Sequence, residues 1–202
     1  MARKILLLFA LAVPVGITAV YFVYTHSWRR YCTTDEMRYN ASIINNEPPL
    51  PPLFYQTWDK LFPGTRHHTM NEALLSELTG HPNKNCLCDE IGYLSWNNDD
   101  FRFKADFGKL IGNYRPFGYG LQSYSSPEKC FDFWVNHDIT LRQHYLHSLD
   151  DLSLTVLQKR VDQLNQDEMV ILIAWRQLGR RALYSKPSLN KTIKAYQYKL
   201  RS

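Results

Sequence analysis

Glycine and proline are scarce in this chain, 9 and 10 of 202 residues. That excludes a collagen-like or low-complexity chain. No G-x-x-x-x-G-K-[ST], no G-x-G-x-x-G and no G-x-S-x-G occurs. The chain therefore has no phosphate-cradling loop, dinucleotide fingerprint or nucleophile elbow. No internal repeat is visible at solenoid periods. Acid is missing from the last 34 residues, which hold 8 Lys/Arg. All 19 Asp/Glu lie between Asp35 and Glu168, where residues 31–168 carry 12 Lys/Arg. The formal charge of +5 thus belongs to the two ends, and the body is acidic. A basic end of this kind suits an anionic membrane, a nucleic acid or the chain's own acidic body.

What is present argues for one core. The chain is 45% hydrophobic, with 5 Trp, 13 Tyr and 10 Phe that need burial. Its length suits a single domain.

Ile5 to Tyr24 is a run of twenty residues without charge, bounded by Arg3, Lys4, Arg29 and Arg30. A helix of that length spans roughly 30 Å, a bilayer's hydrocarbon core. It reads as an uncleaved transmembrane signal-anchor. The competing reading is a cleaved signal, with Ala10-Leu11-Ala12 as the small-residue site. The sequons Asn40-Ala41-Ser42 and Asn190-Lys191-Thr192 favour a single-pass protein with most of the chain lumenal or extracellular, as a glycoprotein. So do four cysteines placed after the span.

The expected order is a flank (1–4), the anchor (5–24), a Pro-rich juxtamembrane linker (25–53), a globular domain (54–150), a helical region (151–186) and a basic tail (187–202). Pro48-x-x-Pro51 and Pro49-x-x-Pro52 match a PxxP ligand, but a polyproline spacer is the simpler reading. Thr69-Met70-Asn71-Glu72 is a capping box opening a helix with Ala73, Leu74, Leu75 and Leu78, stopped by Gly80 and Pro82. Phe101, Phe103, Ala105 and Phe107 alternate with Arg102, Lys104 and Asp106, which predicts a strand. Gly112 to Gly120 reads as turns, and Ser126-Pro127 opens another helix. Leu154, Leu157, Val161, Leu164, Ile171, Trp175 and Leu178 fall on steps of three and four. They form an interaction seam, either a coiled coil or a hairpin packed on its own domain. Met169 to Trp175, apolar all round, wants burial on several sides or is a buried strand. The fold class expected is α+β, with an N-terminal transmembrane helix, one small mixed domain and a helical C-terminal third.

Three clusters carry candidate chemistry. Cys86-Leu87-Cys88 with His67, His68 and His81 is off the spacing of a zinc site. The acids Asp89 and Glu90 beside it oppose a redox-active thiol. Two disulfides among Cys32, Cys86, Cys88 and Cys130 are expected, with Cys86 and Cys88 each paired to one of the others. His137, Asp138, His144 and His147 share a helical neighbourhood without completing a ligand set. Asn97-Asn98-Asp99-Asp100 places two acids where a sugar transferase would hold a divalent cation, which makes Asp99 and Asp100 the candidate metal residues. Pro52 to Trp58 keeps the glutamine and tryptophan of one sugar-transferase opening motif, but Tyr55 replaces its histidine and no D-x-D follows. No family is assigned on it.

The function expected is a non-catalytic, membrane-anchored interaction component that needs no cofactor. It would bind a protein partner or itself through the C-terminal helices, and nucleic acid is not the partner indicated. A membrane-tethered glycan-modifying enzyme using a divalent cation is the alternative. A cytosolic or mitochondrial assembly factor with a lipid- or RNA-binding tail is the third.

Overall fold

The computed structural model describes residues 14–23, 25–80, 85–95, 100–102, 115–137 and 148–201. Besides the helical residues 14–23, ten helices follow one another among the described residues: α1 (Thr34–Asn45), α2 (Pro52–Leu61), α3 (Met70–Thr79), α4 (Leu87–Ser95), α5 (Arg115–Gln122), α6 (Pro127–Asn136), α7 (Leu149–Leu157), α8 (Gln166–Leu178), α9 (Arg180–Tyr184) and α10 (Lys186–Arg201). Short 3₁₀ turns lie at Ser27–Arg30, Thr65–His67 and Val161–Gln163.

No strand occurs among the described residues, so the α+β expectation is replaced by an all-helical fold. The predicted strand falls at residues 101–107, of which 103–107 lie outside the described residues. Phe101 and Arg102 are not strand. Phe101 is buried edge-on to Phe117 and Phe133. The Asn40 side chain takes both backbone polar groups of Arg102: its Nδ2 donates to the Arg102 carbonyl (2.8 Å), and its Oδ1 accepts from the Arg102 N–H (2.8 Å). A side-chain amide thus supplies the hydrogen bonds a sheet neighbour would have supplied.

The transmembrane signal-anchor is also corrected. Residues 14–23 are helical, while 1–13 and 24 lie outside the described residues. Among the described residues no helix is long and apolar enough to cross a membrane. The single-pass membrane placement rested on that span and is not borne out among the described residues.

Residues 25–53, expected as a linker, contain α1. Its N-cap is a reciprocal box: the Thr33 hydroxyl accepts from the Glu36 N–H while the Glu36 carboxylate accepts from the Thr33 N–H. Met37, Ala41 and Ile44 are fully buried along one face. The Pro-rich strip behind it is docked. Leu50 is buried, and its N–H donates to the Tyr55 hydroxyl (2.8 Å).

Two large apolar cores result, with a smaller cluster of Ala174, Ala182 and Leu189 beside the second, and α6 is the wall between the two large ones. Cys130 and Phe133 face the first core, with Met37, Ile91, Phe117 and Leu121. Phe131 and Val135 face the second, with Phe54, Trp58, Leu149 and Ile173. The polar group on this wall is satisfied: Tyr55 donates to Asp132 Oδ1 at 2.6 Å. Burial raises the Asp132 carboxyl, and burial with the adjacent carboxylate pushes the Tyr55 phenol far up, so the proton stays on the tyrosine. Arg176 of α8, 3% exposed, closes the C-terminal end of α6. Its Nε donates to the Val135 carbonyl (3.2 Å), its Nη2 to the Trp134 carbonyl (2.8 Å), and its guanidinium lies 3.6 Å over the Trp134 ring.

The segment expected to turn, Gly112 to Gly120, is instead helix α5 from Arg115 onward, buried from Pro116 to Leu121. Its glycines are contact points. A Cβ on Gly120 would meet Met37 Cε at 2.5 Å and Trp28 Cγ at 2.9 Å; one on Gly118 would meet Met70 Sδ at 2.9 Å and the Asp89 Cα at 3.0 Å. Both neighbours of α5 approach as closely as they do because those side chains are absent.

The C-terminal seam is not one helix, so no coiled coil runs through it. Gln158 ends α7 in the left-handed region (φ 56°), and Asn165 caps α8 in a box with Glu168. Val161 and Leu164 are buried in the second core, Leu157, Trp175 and Leu178 pack at core edges, Ile171 is half-buried, and Leu154 is 47% exposed. Met169 to Ala174 lie on α8 beside α2, α7 and α10, and the core faces of all of these close around them.

Candidate functional site

The sequence-derived candidates are dispersed by the fold. Asp99 lies outside the described residues, and Asp100 is exposed at a turn. Among the described residues no group of three or more His, Cys, Asp or Glu side chains is placed to hold a metal ion. His67 pairs with Glu128 (2.6 Å), which holds the Glu128 carboxyl below its usual range although burial opposes the shift. His68 Nδ1 is buried without a hydrogen-bond partner. His81, Asp138, His144 and His147 lie outside the described residues.

His137 stacks on Phe133, and its Nε2 meets Glu47 Oε2 at 2.8 Å, while Asn136 donates to Glu47 Oε1 at 2.7 Å. This pair borders a cleft of about 360 Å³ between Pro48–Pro51 and the Asp150, Arg160 and Asp162 side chains.

The cysteines divide. Cys88 on α4 and Cys130 on α6 are joined as a disulfide. Cys32 and Cys86 are buried and carry no disulfide. Burial pushes the Cys86 thiol up to about 11, with Asp89 and Glu72 adding to the shift, so it is not a thiolate at neutral pH. Asn40, one of the two sequons, is fully buried with its amide engaged on Arg102, and a glycan on that nitrogen would have no room. Asn190 is exposed on α10.

Two further features have functional geometry, one on a segment the sequence assigned to a membrane anchor and one with no sign in the sequence. The first is an apolar surface. Residues 14–23 form a charge-free helix exposed along its length, with Val15, Ile17, Val20, Phe22 and Val23 each between 58% and 70% exposed. Tyr21 ties it to α3, donating to Asn71 Oδ1 at 2.7 Å. One and two turns along the same α3 face stand Leu75 and Leu78, 60% and 76% exposed. The structure leaves both leucines in solvent.

The second is a charge cluster where α3, α4 and α5 meet. Arg115 makes a two-pronged bridge to Glu77 and lies 3.5 Å from Asp89 Oδ2 through Nε. Asp89 Oδ1 is buried and has no hydrogen-bond partner. With the guanidinium fork committed to Glu77, desolvation dominates at Asp89, and the neighbouring charge of Glu90 adds to it. Its carboxyl is pushed up to about 7, while a quarter of the side chain stays open to solvent.

Comparison with known proteins gives no matching protein family, no similar curated protein and no similar solved structure.

Proposed function

We propose that the chain is a protein-interaction domain whose contact surface is the apolar face of residues 14–23 and α3. The carrying observation is the exposure of seven large apolar side chains across two helices joined by the Tyr21–Asn71 hydrogen bond. Large apolar side chains exposed to water in this number mark a surface that another surface covers. The simplest occupant is a second copy, because a face that is apolar throughout is complementary to itself across a two-fold axis. Sedimentation of the whole chain over a concentration series tests this. A dimer is expected, and Leu75→Glu with Leu78→Glu should give a monomer of unchanged helical content. A monomer at every concentration, or partition of the chain into neutral lipid vesicles in place of pairing, would overturn it.

A second reading is favoured by Asp89. A carboxyl protonated near neutrality, with one oxygen unpartnered and an arginine fixed beside it, is equipped to protonate a leaving oxygen. An acetal oxygen of a glycan is the substrate class that such an acid serves: Asp89 protonates the leaving oxygen while a water attacks the anomeric carbon and gives its proton to a second carboxylate, the role open to Glu77 on the same arginine. A panel of chromogenic glycosides is the probe. Hydrolysis should fall as pH rises through about 7 and disappear in Asp89→Asn. No turnover of any member sinks this reading and leaves the interaction surface untouched.

A further inference from the structure

The basic C-terminal end is a helix with two unlike faces. Leu189, Ile193, Tyr196 and Leu200 point inward and pack against α2 and α8. Lys199 is drawn to the body as well, donating through Nζ to the Leu61 carbonyl. Lys186, Lys191, Lys194 and Arg201 are exposed. Among the described residues none of these four makes an ion pair with a carboxylate. The four cations spread over about 23 Å of helix, at 1.5 Å per residue. Tyr198, 77% exposed, sits one turn beyond Lys194 on the same face, and Tyr184 just before the helix is 83% exposed.

Cations alone fit any polyanion. Exposed aromatic rings among them add flat apolar faces on which a sugar or a base can stack. The Cys88–Cys130 disulfide separates these two. Structural disulfides persist under oxidising conditions, and nucleic acid is a polyanion of reducing compartments. We infer that the outer face of α10, with Lys191, Lys194, Tyr198 and Arg201, binds an acidic polysaccharide. The lysines and arginine pair with its carboxylates or sulfates, and Tyr198 stacks on a sugar ring.

The test uses the whole chain with heparin as probe, read by calorimetry at two salt concentrations. Binding should weaken as salt rises, by the release of counterions. Lys191→Glu with Lys194→Glu should lower affinity about tenfold or more. The same charge change away from this helix, Arg30→Glu with Arg38→Glu, should change it little. Tyr198→Ala should weaken binding several-fold while leaving the salt slope as it was, which a purely ionic contact does not do. Parallel titrations use a single-stranded oligothymidylate and vesicles of anionic phospholipid. Equal or tighter binding to either overturns the assignment, as does absence of heparin binding or equal loss in the two charge-reversal pairs.

Discussion

Asp89→Asn is expected to stabilise the protein by about 4 kcal/mol near pH 8, with the gain shrinking as pH falls and vanishing below about pH 4. The sign follows from linkage. Burial, with Glu90 adding to it, pushes the carboxyl up from the ordinary 3.8 to about 7 in the folded chain. Between those values the folded state holds a proton that the unfolded state has released, so raising the pH favours unfolding. Whatever stability the neutral carboxyl confers is complete below the unfolded pKa and is lost as pH rises through the folded one. Asparagine keeps the shape and removes the ionisation. The measurement is a pair of denaturant titrations, wild type and variant, at several pH values. The difference between them isolates Asp89 from the other carboxylates. A constant difference across the range would show that Asp89 ionises normally. Glu77→Gln is the companion variant. It releases the Arg115 fork toward Asp89 and should bring that pKa down, flattening the wild-type slope.

Removing the disulfide should cost about as much. Cys88 and Cys130 are 42 residues apart, and closing a loop of that length restricts the unfolded chain by about 4 kcal/mol. Cys88→Ser with Cys130→Ser should lower the denaturation midpoint accordingly, with the slope of the transition rising as the denatured state expands. Cys86→Ser is the contrast. It carries no cross-link and should leave the loop term unchanged. Equal loss from both replacements would mean that packing of the sulfurs, not the cross-link, stabilises the region.

The parts of this fold that were legible in the sequence are those written locally. Thr69 and Glu72 announce the start of α3 and Gly80 its end, and the structure has both caps, with Gly80 at φ 65°. Ser126 and Pro127 start α6 in the same way. The all-round apolarity of Met169 to Trp175 reads directly as burial against several neighbours. Residues that carry two meanings misled. Gly118 and Gly120 look like turn residues, yet here they let three helices touch, a requirement set by Met37, Trp28 and Met70 far away in sequence. Asn40 completes a three-residue sequon that says nothing about burial. Its place between Met37, Ala41 and Ile44, on one helical face, was the available sign that it points inward. The Thr33–Glu36 box was equally visible but stood in a stretch dominated by prolines. The Glu77, Asp89 and Arg115 cluster had no local sign, because its members are brought together only by the packing of α3, α4 and α5. Leu75 and Leu78 have the composition of core residues, and only tertiary structure could show that both stand largely exposed.

The position of α6 between the two cores governs how the molecule comes apart. Neighbouring side chains on this one helix serve opposite cores, its start is bonded to α4 through Cys130, and its end is closed by Arg176 from α8. Neither half can expose its interior without stripping one side of α6, which uncovers the other half as well. The two halves are therefore coupled into one cooperative unit, and the amide protons of α6 exchange with solvent only when the whole domain opens.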